Sequence, residues 1–148
     1  MKMGDLRTIL ITDPADYASA LRIRREVFIE EQSVPQEIEI DSFEDEALHF
    51  LCFKGLLPAG TGRLRKKSPF MKFERIATLK RFRRQGVGKN LVTHMQNHAQ
   101  ETFPDYLPAM HAQLDAVAFY KTLEWRAWGE TFYEAGIPHL FLTRTKEL

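Results

Sequence analysis

The sequence predicts one α/β domain over residues 1–148, built on a mixed β-sheet with helices on both faces. Three observations lead there. The chain is 148 residues long with 44% hydrophobic and 28% charged content, enough for a single buried core and too apolar for a disordered chain. Its apolar patterns follow the order β-α-β-β-β-α-β-α-β-β, as a layered sheet-and-helix domain requires. A glycine-bearing segment, Arg83-Arg84-Gln85-Gly86-Val87-Gly88, joins a strand-like run to a helix-like one.

Arg7 to Thr12 alternates weakly and reads as the first strand. Asp13-Pro14 starts a helix, with a side-chain acceptor at the cap and proline in the first turn. Ala15, Ala18, Leu21 and Phe28 recur at helical spacing and are expected on its inner face. Ser33-Val34-Pro35 breaks the pattern and opens a polar loop to about Asp45. Ala47 to Phe53 reads as a buried strand, Gly55 to Pro58 as a turn, and Ala59 to Arg65 as the strand's partner. Phe73 to Leu79 is the fourth strand; alternation puts Glu74, Ile76 and Thr78 on one of its faces and Arg75, Ala77 and Leu79 on the other. Val87 to Gln100 is a helix, Tyr106 to Ala112 a fifth strand and Leu114 to Leu123 a short helix. Ala127 to Phe132 and His139 to Thr145 close the chain as an antiparallel pair.

Several classes drop out on composition. The N-terminal Met1 to Asp5 has no apolar stretch behind it, so no secretory signal is expected. The longest apolar run, Ala47 to Phe53, is far too short to span a bilayer, and no membrane partner is expected. Cys52 is the only cysteine, which excludes an intramolecular disulfide and suits a cytoplasmic protein. His94 and His98 stand four apart, but Met95 follows the first and no third ligand is evident, so no metal is expected.

Net charge is +1, yet the charges are sorted. Nine acidic residues and no lysine or arginine lie between Glu26 and Glu46; eleven basic residues and one acid, Glu74, lie between Arg63 and Lys89. Such blocks are either solvated faces or poles that draw ligands, here a polyanion to the basic block and an amine to the acidic one. A nucleic-acid or anion-binding module would use the same basic segment. An overall pI of 7.9 and the lack of regularly interleaved aromatics argue against it, so no nucleic-acid partner is expected.

The glycine segment has the makings of a phosphate cradle: glycines for a tight turn, then a helix N-terminus with unpaired N–H donors and partial positive charge. Spacing excludes a P-loop, because Asn90 follows Gly88-Lys89 and Arg83 stands at the first glycine's place. It also excludes a dinucleotide fingerprint, whose third glycine would be Leu91. What remains is Arg/Gln-x-x-Gly-x-Gly/Ala.

In this the chain resembles the GNAT superfamily of N-acetyltransferases, and four further blocks extend the likeness. Arg24-Arg25-Glu26-Val27-Phe28-Ile29-Glu30-Glu31-Gln32 is similar to a signature of its ElaA-like branch. Glu74-Arg75-Ile76-Ala77-Thr78 resembles the fourth strand. His111-Ala112-Gln113 with Ala116 to Leu123 resembles the block around the last helix, and Glu134-Ala135-Gly136-Ile137-Pro138-His139 the branch's closing motif. Three departures stand out: Gln113 where many relatives have Asn, Thr78 for an aliphatic residue, and Glu124-Trp125 for Gly-Phe. A non-glycine at that helix end costs roughly 1 kcal/mol if the backbone is left-handed.

The resemblance implies a central, mostly antiparallel sheet and acetyl transfer from acetyl-CoA to a primary amine of a small molecule or peptide. It implies that Arg83, Arg84, Gln85, Gly86, Val87, Gly88 and Lys89 hold the pyrophosphate, that the backbone of Ile76, Ala77 and Thr78 pairs with the pantetheine arm, and that Gln113 adjoins the cofactor. Tyr120 is then the general acid and Glu74 the leading base, with a salt bridge as Glu74's other reading. Phe28, Glu30, Glu31 and His111 fall near the acceptor, and Glu30, Glu31, His111 or a water could also serve as base. The same fold without activity is a further alternative. Dimers are frequent among relatives, and the sequence does not fix the oligomeric state or the acceptor.

Overall fold

A computed structural model describes residues 4–145 of the chain. Strands β1 (Leu6–Leu10), β2 (Leu48–Lys54), β3 (Leu57–Lys67), β4 (Phe70–Thr78), β5 (Leu107–Gln113), β6 (Arg126–Glu134) and β7 (Ile137–Thr143) form one sheet in the order β1-β2-β3-β4-β5-β7-β6. Every neighbouring pair is antiparallel except β4 with β5. Helix α1 (Pro14–Arg24) packs on one face; α3 (Val87–Thr102) and the short α4 (Val117–Thr122) share the core on the other. The expected mixed sheet with helices on both faces is therefore what the chain forms. No helix among the described residues is long and apolar enough to cross a membrane.

Helix α1 begins as expected: Asp13 is extended, and its carboxylate accepts from the Ala15 N–H at 2.7 Å. Its buried stripe differs from the expected one. Ala20, Ile23, Arg24 and Val27 are buried, whereas Ala15 and Ala18 are exposed. The stripe keeps helical spacing but runs through an arginine, which an apolar count passes over. Beyond Arg24 the chain widens into a π-helical segment, Arg25–Glu31, where Gln32 N–H bonds back five residues to Val27 C=O. The polar loop that follows contains one short turn of helix, α2 (Gln36–Glu39).

Strand β4 corrects the alternation expected for it. Between the pairs Thr61↔Ala77 and Arg63↔Glu74 there is one residue on β3 and two on β4, a β-bulge, and Arg75 takes φ +54°. Met71 and Phe73 face the α3 side, leaving Lys72 and Glu74 on the opposite face. Past the bulge Ile76 lies against the α3 core and Ala77 against α1. Glu74 therefore does not share a face with Ile76 and Thr78. The bulge supplies the missing half-step.

Pairing of β4 with β5 stops at Phe73↔Met110, although both strands continue. The sheet opens there, and one edge of β4 beyond Phe73 has no strand beside it. At the far end of α4, Glu124 adopts φ +72°, the left-handed conformation foreseen for the position where relatives carry glycine.

Candidate active site

A cavity of about 230 Å³ occupies the opening between β4 and β5 and runs through the sheet. Phe73, Ile76, Met110, Ala112 and Tyr120 line its α3 side. Lys72, Glu74, Arg75 and His111 line it on the other face, under Phe28, Gln32, Val34, Ile38 and Glu39. The hairpin between β6 and β7 closes one flank with Glu134, Ala135, Ile137 and His139.

The roof segment is held by an ionic lattice that composition concealed. Arg24 and Arg63 are each 1% exposed, and both are fully engaged. Arg24 contacts Glu39 at 2.9 Å and Glu44 at 2.7 Å; Arg63 contacts Asp41 at 2.6 Å, Glu44 at 2.5 Å and Glu74 at 3.1 Å. Arg75 joins Glu39 and Asp41 at 2.9 and 3.1 Å, and Arg65 joins Glu74 at 3.0 Å. Burial opposes the charge on Asp41, but Arg63, the Phe43 amide and Arg75 outweigh it and hold the carboxyl at about 2. Glu74 is likewise disfavoured by burial and more strongly favoured by Arg65 and Arg63, so its affinity for a proton falls. The two charge blocks thus neutralise each other across the fold to a large extent. They are neither free poles nor wholly solvated faces.

The glycine loop lies at the end of β4. Arg84 has φ +62° and Gly86 φ +87°, and Gly86 caps α3 with no side chain bonded to the helix end. The first-turn N–H groups are left without a capping acceptor. A Cβ at Gly88 would stand 3.4 Å from Phe119 and 3.9 Å from the Thr78 hydroxyl, so the start of α3 abuts both β4 and α4. Val87 is buried, while Arg84, Gln85 and Lys89 are exposed. Gln85 accepts from Lys54 and donates to Arg81 C=O. Arg83 is drawn aside to Glu31 and to Thr78 C=O.

Tyr120 is 7% exposed and packs edge-on against Phe119 and Trp125, with centroids at 5.1 and 6.3 Å. Its hydroxyl has no hydrogen-bond partner among the described residues, and burial raises its pKa, so the phenol stays protonated. Across the opening, Gln113 and Gln32 bond through their amides at 2.8 Å, which ties the end of β5 to the roof. His111 contacts Glu134 through Nδ1 and Lys72 through Nε2, the latter at 3.0 Å. Burial lowers the pKa of Lys72.

Of the residues singled out in the sequence, Tyr120, Glu74, Ile76, Gln113, Phe28 and His111 meet in this one cavity. Glu30 and Glu31 are not among its lining residues: Glu30 lies 3.5 Å from Arg25, and Glu31 pairs with Arg83. Lys72 carries no mark in the sequence, and Glu134 and His139 stand there only as the ends of the closing motif, without a place in the site. The first is an unremarkable lysine in a basic block, and the others come from a hairpin whose distance in sequence hides its closeness. His94 and His98 both set their rings edge-on to Phe50, and no group of three or more potential ligands for a metal occurs among the described residues.

With this geometry in place, comparison with known proteins is direct. Residues 13–145 match the acetyltransferase (GNAT) domain family. The uncharacterized N-acetyltransferase YjcF of Bacillus subtilis is 37% identical over 136 residues, covering 91% of this chain and 96% of the relative. The crystal structure of an acyl-CoA N-acyltransferase from Pseudomonas aeruginosa superposes with a TM-score of 0.82 at 22% identity, over 95% of this chain and 99% of that one. Escherichia coli ElaA gives a TM-score of 0.82 at 20% identity with the same coverage. At those identities the two structures speak for the fold.

Proposed function

This chain belongs to the GNAT family of acetyltransferases, and from that premise we propose that it moves an acetyl group from acetyl-CoA to a primary amine of a small molecule or peptide. The observation that carries the reading is the opening between β4 and β5, with the Tyr120 hydroxyl on its wall and a glycine loop at the end of β4. An extended pantetheine arm fits beside the unpaired edge at Ile76 to Thr78 as an added strand would. Its pyrophosphate would meet the first-turn N–H groups after Gly86, with Arg84, Gln85 and Lys89 around it.

In the chemical step the neutral amine nitrogen attacks the thioester carbon, and the carbon–sulfur bond breaks as the tetrahedral intermediate collapses. Tyr120 gives its proton to the departing sulfur, and the proton leaving the new amide nitrogen restores the phenol. Glu74 has both oxygens engaged by Arg63 and Arg65. We assign it to holding the bulge and its arginines in place, not to proton abstraction. The acceptor enters from the side of Phe28, Val34 and His111.

The direct test is a panel of amines (amino sugars, polyamines, amino acids and peptide N-termini) incubated with acetyl-CoA and followed by release of free thiol. Amine-dependent thiol release with a matching acetylated product is expected. Thiol release that no amine accelerates would overturn the assignment.

A further inference from the structure

We propose that His111 takes the proton from the acceptor's ammonium group, and that Glu134 is the residue that positions its ring. The proposal rests on the acetyltransferase reading above and adds to it the missing base. His111 projects from β5 on the face opposite α3, since its neighbours Met110 and Ala112 are buried in the α3-side core. Its ring is held on three sides. Phe132 and Phe141 stand edge-on at 5.0 and 6.0 Å, and Glu134 meets Nδ1. A carboxylate only accepts hydrogen bonds, so Nδ1 carries the ring proton and donates it. The lone pair is then on Nε2.

That lone pair is turned into the cavity toward an amine. Lys72 Nζ holds that lone pair at 3.0 Å, and the acceptor amine takes the lysine nitrogen's place when it binds. The carboxylates in the cavity are each held by two guanidinium groups, Glu39 by Arg24 and Arg75 and Glu74 by Arg63 and Arg65, whereas Nε2 has a single amine contact. His139 uses Nδ1 on Ile137 C=O at 2.7 Å and makes no ion pair with a carboxylate among the described residues that could balance an imidazolium.

In the step itself one N–H bond of the acceptor's ammonium breaks, the electron pair stays on nitrogen, and the proton passes to Nε2. The imidazolium formed faces Glu134, which offsets its charge. His111 is 38% and Glu134 47% exposed at the side chain, so the proton leaves to water at the mouth while the amine stays inside. The charged and titratable groups about the ring are Lys72 from β4, with Glu74 beyond it, Glu134 from β6 and His139 from β7.

The test uses the amine from the panel that gives the fastest thiol release. His111→Gln is expected to lower kcat/KM for that amine by roughly 10²-fold, to remove the acidic limb of the pH profile, and to leave the acetyl-CoA dissociation constant unchanged by calorimetry. His111→Ala should regain turnover with added imidazole. Glu134→Gln should slow turnover and Glu134→Asp restore it. Long-range ¹⁵N–¹H spectra of the histidine rings read the geometry without any acceptor: the Nδ1–H form is expected for His111 in the wild type and should be lost in Glu134→Gln. A folded His111→Gln variant with wild-type turnover and pH profile would overturn the proposal alone, as would an Nε2–H ring in the wild type. A wild type that binds acetyl-CoA yet acetylates no amine would overturn the acetyltransferase reading and this proposal with it.

Discussion

Arg83 grips Glu31 through two parallel hydrogen bonds of 2.7 Å each, while its Nε donates to Thr78 C=O at 3.0 Å. One guanidinium therefore ties the end of the π-helical segment, the end of β4 and the entry to the glycine loop. The fork geometry suits arginine and would be lost with lysine.

Glu31→Gln is expected to cost little stability, because both partners are more than a third exposed and such pairs contribute at most about 1 kcal/mol. Arg83→Ala should go further, since it also frees Thr78 C=O beside the loop. A rise in the acetyl-CoA dissociation constant larger than the loss in melting temperature explains is the expected result, read by calorimetry against thermal unfolding. An unchanged constant in Arg83→Ala would show that the loop keeps its shape unaided.

The two loop glycines should fail differently. Gly86→Ala forces a Cβ into φ +87° with Leu6 at 3.2 Å, and should lose roughly 1 kcal/mol of stability or more. Gly88 has no left-handed requirement. A valine there would crowd Phe119 and stand at the helix end, so Gly88→Val is expected to weaken acetyl-CoA binding more than it weakens the fold. Urea unfolding and calorimetry on the same two variants separate these effects.

Tyr120→Phe keeps the ring against Phe119 and Trp125 and removes a hydroxyl that has no partner to lose among the described residues. Stability should hold, and turnover should fall by roughly 10²-fold where chemistry limits the rate. Normal turnover under those conditions would make the tyrosine a packing residue.

Much of this was legible in the chain because local chemistry marked it. Asp13-Pro14 announces a helix start, and Gly86 and Gly88 announce a turn and a helix end whatever surrounds them. Glu124 was legible as a departure, and its left-handed backbone follows. Arg24 and Arg63 were not, because a charged residue is read as exposed unless its partners are known, and theirs lie 11 to 22 residues away. The bulge at Arg75 was equally hidden. No residue type marks an arginine for positive φ, so simple alternation carried Glu74 to the wrong face.

The lattice of arginines and carboxylates should make the protein acid-sensitive in a defined window. Burial opposes ionisation of Glu44 and Glu74, but their guanidinium partners prevail, and Asp41 is held at about 2. Each carboxyl thus binds its proton less readily folded than unfolded. The stability this gives is fully present above the ordinary carboxylate range, about pH 4, and is lost as the pH falls toward 2. Glu44→Gln leaves Arg24 and Arg63 buried with too few partners and should cost about 3 kcal/mol at pH 7. Its stability should also vary less with pH than that of the wild type, which urea titrations at pH 7 and at about pH 2.5 would reveal.

The extra residue at the β4 bulge gives the strand something like a reading frame. Before Arg75 the odd-numbered Met71 and Phe73 face α3; after it the even-numbered Ile76 and Thr78 do. Deleting the extra residue there would leave a single residue opposite Gly62 in an ordinary ladder, with Phe73, Ile76 and Thr78 still toward α3 and Glu74 and Ala77 still on the other side. Arg75→Gly keeps the bulge and should fold, and removal of residue 75 should fold as well, with the bulge straightened. The bulge is therefore a place where the strand can lose a residue without turning a side chain over.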